Sequence, residues 1–173
     1  MREQGPLGHL MHRQLSVVAG LLDFMTSEEF VAAIAALCSR DLPAEQGTTD
    51  VVGMGGPGYF MAESAGGDGP CAGDGCQRAE TAAQFMEERD DIARLLTLLW
   101  GVGEHLGTQT IRLRPAMYDE VIPEPWLSFS QRVDDMYLWE VKERRRWVAV
   151  GIADRDEADE VKLLAVVTDI DPP

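Results

Sequence analysis

Apolar residues recur along this chain in two rhythms. Leu7, Leu10, Met11, Leu15, Val18, Leu21, Leu22 and Met25 are spaced by threes and fours. That period lines one face of an α-helix and predicts a helix over residues 7–24, entered at Gly5-Pro6. A second helix starts behind Thr26 and Glu29, whose spacing is that of a capping box, in which hydroxyl and carboxylate each satisfy a free backbone N–H. Phe30, Val31, Ile34, Leu37 and Cys38 supply its apolar face. Arg40 suits the negative end of its dipole and Pro43 stops it. Residues 7–42 therefore read as a helical hairpin.

From residue 44 to 76 the rhythm vanishes. Most of the 17 glycines fall here, with Pro57 and Pro70, and the stretch reads as a flexible glycine-rich loop. Helical spacing returns over 77–100, where Ala82, Phe85, Met86, Ile92, Leu95, Leu96 and Leu99 make a stripe and Glu87, Glu88, Asp90 and Asp91 face water. Gly101 and Gly103 end it.

Residues 108–170 read as extended. Ile111 and Leu113 alternate with Arg112 and Arg114, and Pro115, Pro123 and Pro125 punctuate a connection unsuited to a central strand. The strongest strand signals are Met136 to Val141, Arg145 to Ala153 and Val161 to Ile170, rich in Val, Ile, Leu and Trp. Short charged connections join them, so sequential antiparallel pairing is the economical topology. Trp139, Trp147, Val148, Val150, Leu164 and Val166 are its predicted core, and Trp147→Ala is expected to cost about 3–5 kcal/mol. The pattern as a whole is α+β in one domain spanning 1–173: N-terminal helices and a Gly-rich loop, then a helix packed on a C-terminal antiparallel sheet.

Composition narrows the function. Thirty Asp and Glu against 15 Lys and Arg leave a formal charge of -15. So acidic a surface repels phosphates and anionic lipid heads, which disfavours nucleic acid and membranes as partners. No uncharged stretch reaches the roughly 18–20 residues a bilayer requires, and no signal-peptide pattern opens the chain. Three cysteines make no disulfide framework, so a cytoplasmic location is expected.

Candidate chemistry is sparse. Gly53-Met54-Gly55-Gly56-Pro57-Gly58 matches the letters of a dinucleotide fingerprint but lacks the strand before it and the helix behind it. Cys71 and Cys76 lack the second ligand pair that zinc requires. His9 and His12 share a helical face without a third ligand. His105 is a possible general base with no nucleophile motif beside it. Asp134 and Asp135, as neighbours on a strand, face opposite ways. No catalytic, metal-ligating or cofactor-binding residue is assigned, and no cofactor is expected.

Two charged groups remain. Lys142 and Arg144, Arg145 and Arg146, beside Trp147, form the densest basic cluster and a candidate patch for an anionic ligand. Asp154, Asp156, Glu157, Asp159 and Glu160 form a candidate acidic interaction patch. They lack the glycine and terminal glutamate of a calcium loop.

Leu98-Leu99-Trp100-Gly101, Ile122-Pro123-Glu124-Pro125, Leu138-Trp139-Glu140-Val141, Arg146-Trp147-Val148-Ala149-Val150-Gly151 and Leu163-Leu164-Ala165-Val166 occur in an order that resembles a group of small proteins of high-GC bacteria. The resemblance covers about residues 88–170. It implies a fold and carries no activity. Without a catalytic motif, the charge itself favours a protein that contacts a basic protein partner, for example an inhibitor of immunity or antitoxin type. The alternative is an enzyme or small-ligand binder with a site between sheet and helices.

Overall fold

The computed structural model describes residues 26–49, 53–64 and 75–173. The helix expected over 7–24 lies outside them. In chain order the elements are α1 (Ser27–Ser39), β1 (Gly47–Thr49), β2 (Gly53–Gly56), β3 (Tyr59–Glu63), α2 (Gly75–Trp100), β4 (Glu104–Gly107) and α3 (Gln109–Tyr118). They continue with α4 (Trp126–Arg132), β5 (Val133–Val141), a 3-10 turn (Lys142–Arg144), β6 (Arg146–Ala153) and β7 (Lys162–Thr168). The strands form one sheet in the order β1-β2-β3-β7-β6-β5-β4, with every neighbouring pair antiparallel. The fold is α+β.

Helix α1 begins at the capping box its sequence announces. The Thr26 hydroxyl accepts from the Glu29 N–H at 3.2 Å, and the Glu29 carboxylate accepts from the Thr26 N–H at 2.8 Å. Its buried face is Phe30, Val31, Ile34, Leu37 and Cys38. With Phe85, Ile92 and Leu96 of α2, this face covers one side of the sheet, on Trp139, Val148, Val150, Leu163, Ala165 and Val167. The other side packs Leu138, Ala149, Leu164 and Val166 under Ile111 of α3 and Trp126 and Phe129 of α4. Helices therefore lie on both faces. Successive residues of β6 and β7 enter opposite cores, which is why these strands read as continuous apolar runs rather than as alternating ones.

Three sequence expectations need correction. Residues 109–118, read as extended, form α3. Four residues of alternation fit either period. The helix is held by Arg112, whose guanidinium donates to Thr108 Oγ1 (2.5 Å) and to the carbonyls of Ser130 and Val133 (both 2.9 Å). Residues 126–132, read as part of a proline connection, form α4. Pro125 sits at its N-cap, where the missing N–H costs nothing, and its carbonyl accepts from the Phe129 N–H. Residues 108–170 are thus sheet only from Val133 onward.

The third correction concerns the glycine-rich stretch. Its described part is a three-stranded meander, β1 to β3, added to the edge of β7. Gly56 pairs with Tyr59 across a two-residue turn. Pro57 begins that turn, and Gly58 completes it at a φ of +80°, a value a type II turn reserves for glycine. A Cβ on Gly56 would lie 2.5 Å from the Tyr59 ring, so glycine there makes room for an aromatic. Glycine-rich β2 offers no side-chain alternation to detect, and the five residues of β3 are too short a run to tell strand from helix.

Strand β5 carries a bulge. Val133 pairs with Ala153 and Met136 with Gly151, so β5 holds one residue more than β6 over this interval. The extra residue keeps Val133 and Met136 in the same core and leaves Asp134 and Asp135 to point elsewhere. Gly151 is the counterpart that permits it: a Cβ there would stand 2.8 Å from the Asp135 carbonyl and 3.0 Å from Val133.

Trp139 is buried as its sequence suggests, but Trp147 is only partly covered. Trp126, at 0% exposure, is the largest fully buried side chain. The 3–5 kcal/mol truncation cost therefore moves to Trp126→Ala, with Trp147→Ala milder, and urea denaturation of both variants checks the order. Gly151→Ala is expected to cost about 1–3 kcal/mol through overpacking at the bulge, read the same way.

Candidate functional site

Carboxylates gather where α2 meets the β6–β7 connection. Arg78, near the start of α2, reaches into that connection and donates to the carbonyls of Asp159 (2.8 Å), Asp156 (2.9 Å) and Glu157 (3.3 Å). It also lies 2.7 Å from the Asp154 carboxylate. One guanidinium thus folds the backbone of the acidic segment around itself. Its donors go to backbone carbonyls and its charge faces Asp154, whose buried Oδ1 accepts no hydrogen bond, while Asp156, Glu157 and Asp159 stay exposed and, among the described residues, without an ion-pair partner. Glu160 is 3.9 Å from Lys162.

On the side of α2 away from its buried stripe, Glu80, Glu87, Glu88, Asp90 and Asp91 are exposed. The Glu88 carboxyl is perturbed chiefly by desolvation. Partial burial first, and the neighbouring Asp91 charge second, hold its carboxyl above the ordinary range. Like charges held together oppose ionisation, and a cation brought beside them relieves that opposition.

The basic cluster lies at the other end of β6. Lys142 and Arg144 occupy the 3-10 turn and Arg145 follows at a φ of +51°. Arg146 turns inward: it donates to the Arg40 carbonyl (3.3 Å), lies 3.7 Å from the Asp169 carboxylate, and leaves its Nε buried without a partner. Trp147 is separated from the cluster. Its indole N–H donates to Asp171 at 2.9 Å, and its ring packs with the α3–α4 core. The cluster and the tryptophan do not form one platform.

A third polar group joins two residues singled out in the sequence, His105 and Asp135, to one that was not, Arg89. Arg89 sits within the buried stripe of α2, between Phe85 and Ile92, at 8% exposure. It donates to Asp135 Oδ1 (2.9 Å) and to Asp90 (3.2 Å), and its guanidinium lies over the Tyr137 ring. His105 Nε2 stands 2.8 Å from Asp135 Oδ2, and its ring stacks on Tyr137 with 4.5 Å between centroids. The bulge sends Asp134 the opposite way, to Arg112 and Arg155. One sequence signal was available: an arginine four residues after Phe85 and three before Ile92 occupies a core position, and a buried charge requires a partner.

The glycine fingerprint is β2 and its turn into antiparallel β3, so no helix N-terminus faces a pyrophosphate. His9, His12 and Cys71 lie outside the described residues, and for Cys76 only the helical backbone is described. Among the described residues no three His, Cys, Asp or Glu side chains converge on a point that could hold a metal. Burial pushes the Cys38 thiol up to about 12, against the lowering effect of Arg146 and Arg144, so it stays protonated and unreactive at neutral pH. No helix among the described residues is long and apolar enough to cross a membrane. Comparisons with protein-family models, with curated proteins and with solved structures each return no match for the chain.

Two outcomes follow from this geometry. Arg78→Ala should speed amide hydrogen exchange across Asp154–Glu160 and cost about 1–2 kcal/mol. Asp135→Asn should destabilise by about 1–3 kcal/mol, because it weakens the partner of the buried Arg89. Asp134→Asn, at a carboxylate 73% exposed, should cost much less in the same denaturation assay.

Proposed function

We propose that this protein works by binding a basic protein partner through its exposed carboxylates, those of the β6–β7 connection and those on the outward side of α2. The observation that carries this reading is the Arg78 clamp, which holds the backbone of the connection and leaves Asp156, Glu157 and Asp159 exposed to solvent without an ion-pair partner among the described residues. The Glu88 carboxyl is raised by partial burial first and by the Asp91 charge second, and a docked cation relieves the second of these. Charge of this kind accelerates encounter and selects against acidic competitors. An inhibitor of immunity or antitoxin type, covering the cationic active surface of a toxin, is the class that fits. A protein that mimics nucleic-acid charge uses the same physics.

The alternative, an enzyme or small-ligand binder, has one observation in its favour: the His105–Asp135 pair, with a buried arginine fixing the carboxylate and a tyrosine beneath the imidazole. A carboxylate that orients an imidazole is one component of general acid–base machinery. Against it, no serine, cysteine or threonine hydroxyl or thiol contacts His105 among the described residues, and Arg89 takes up part of the Asp135 charge.

Affinity capture from lysate at low and high salt, with the intact chain and with Glu87→Gln/Glu88→Gln/Asp91→Asn, tests the leading reading. The captured protein should be basic, should elute as salt shortens the screening length from about 10 Å at 0.1 M to about 3 Å at 1 M, and should be lost with the triple variant. Capture indifferent to both salt and variant would sink it. Because Glu88 is raised, its contribution to stability is complete below the ordinary glutamate pKa and is lost as pH rises through the folded value. Glu88→Gln should therefore raise the melting temperature more at pH 7 than at pH 4.

A further inference from the structure

The arginines and lysines of this chain are distributed with a regularity that only the folded structure exposes. Among the described residues every Lys and Arg lies within ion-pairing distance of a carboxylate, except four. Those four are Arg40, whose guanidinium lies over the Phe60 ring at 5.5 Å from its centroid, and Lys142, Arg144 and Arg145. All are exposed, and they sit at one corner of the fold. Arg146 ties the corner together by donating to the Arg40 carbonyl, at the C-terminal end of α1. Asp41 and Glu143 adjoin the cluster in sequence, yet neither forms an ion pair with it.

The backbone at the corner points the same way. The connection from Val141 to Arg146 has four residues, the first three in a 3-10 turn and the last, Arg145, left-handed. Hairpins of this kind favour glycine or asparagine at that position. An arginine there strains the backbone, and the neighbouring contacts give its side chain nothing in return. The charge is thus kept at a site where stability alone would select another residue.

We propose that Arg40, Lys142, Arg144 and Arg145 form a binding site for a phosphomonoester, either a free phosphate compound or a phosphorylated side chain. Guanidinium forks match the oxygens of a phosphate, and several cations around one dianion favour it over a single carboxylate. The net charge of -15 restricts the ligand to a compact anion, because a long polyanion would run onto the acidic surface. The site is independent of the carboxylates proposed above, and its variants leave them intact.

Nuclear magnetic resonance titration of the full chain at constant ionic strength tests the proposal, with inorganic phosphate and a phosphoserine peptide as probes. Signals of Arg40 and residues 142–146 should shift together and saturate, and Arg144→Ala/Arg145→Ala should weaken binding by about tenfold or more. A comparable affinity for both probes would indicate a free phosphate compound as ligand, and a clear preference for the peptide would indicate a phosphoprotein. Arg145→Gly supplies the readout that a merely structural turn would not move: its melting temperature should rise as the strain is relieved, while phosphate binding weakens. The site is refuted by shifts that never saturate, by shifts spread over all arginines, by binding unchanged in the double variant, or by an oligonucleotide that outcompetes both probes. Circular dichroism confirms folding of the variants, all of which change exposed side chains.

Discussion

The structure depends on a sheet buried on both faces. Strands β6 and β7 send alternate side chains into two separate apolar cores, one under α1 and α2 and the other under α3 and α4. At about 1.5–3 kcal/mol for each large apolar side chain withdrawn from water, the central strands supply much of the favourable free energy. They leave no room for charge in the middle of the sheet. Even Thr168, a buried polar residue, uses its hydroxyl to donate to the Gly58 carbonyl at 2.7 Å, tying β7 to the turn of the glycine-rich hairpin.

That constraint explains where the charges go. A strand buried on both sides can carry ionisable groups only at its ends or where its pairing is broken. The basic corner precedes β6 and the acidic segment follows it, separated by eight residues of strand, or about 25 Å. This exceeds the screening length at physiological salt, about 8 Å, so the two clusters cannot neutralise each other. The molecule is polar along β6, with bare cations at one end and crowded carboxylates at the other.

The break in pairing is the bulge of β5. Asp134 and Asp135 have no place in either core, and the extra residue interrupts the β5–β6 ladder at them while Val133 and Met136 remain inside. Asp135 then meets Arg89, the one charged residue in the buried stripe of α2, and through its second oxygen reaches His105 on edge strand β4. A single carboxylate thereby joins a helix, a central strand and an edge strand. Gly151, opposite the bulge, is needed for backbone proximity rather than for any turn.

Local periodicity in the sequence determined α1 with its capping box, helix α2, the three-strand antiparallel meander at the C-terminus and the excess of carboxylates. Each is legible because its signal is repeated over several turns or alternations, or is a simple sum. Tertiary structure decided what short or featureless segments became. Residues 109–118 and 126–132 are helices because Arg112 and Trp126 find partners across the fold, and the glycine-rich strands exist because β7 offers an edge. Which charges are spent was also settled only in three dimensions. Arg78 and Arg89 look like the other arginines in sequence, but one is wrapped in carbonyls and the other is buried against Asp135, while Arg144 and Arg145 are left open. Ion pairing joins residues dozens of positions apart, and no local pattern encodes it.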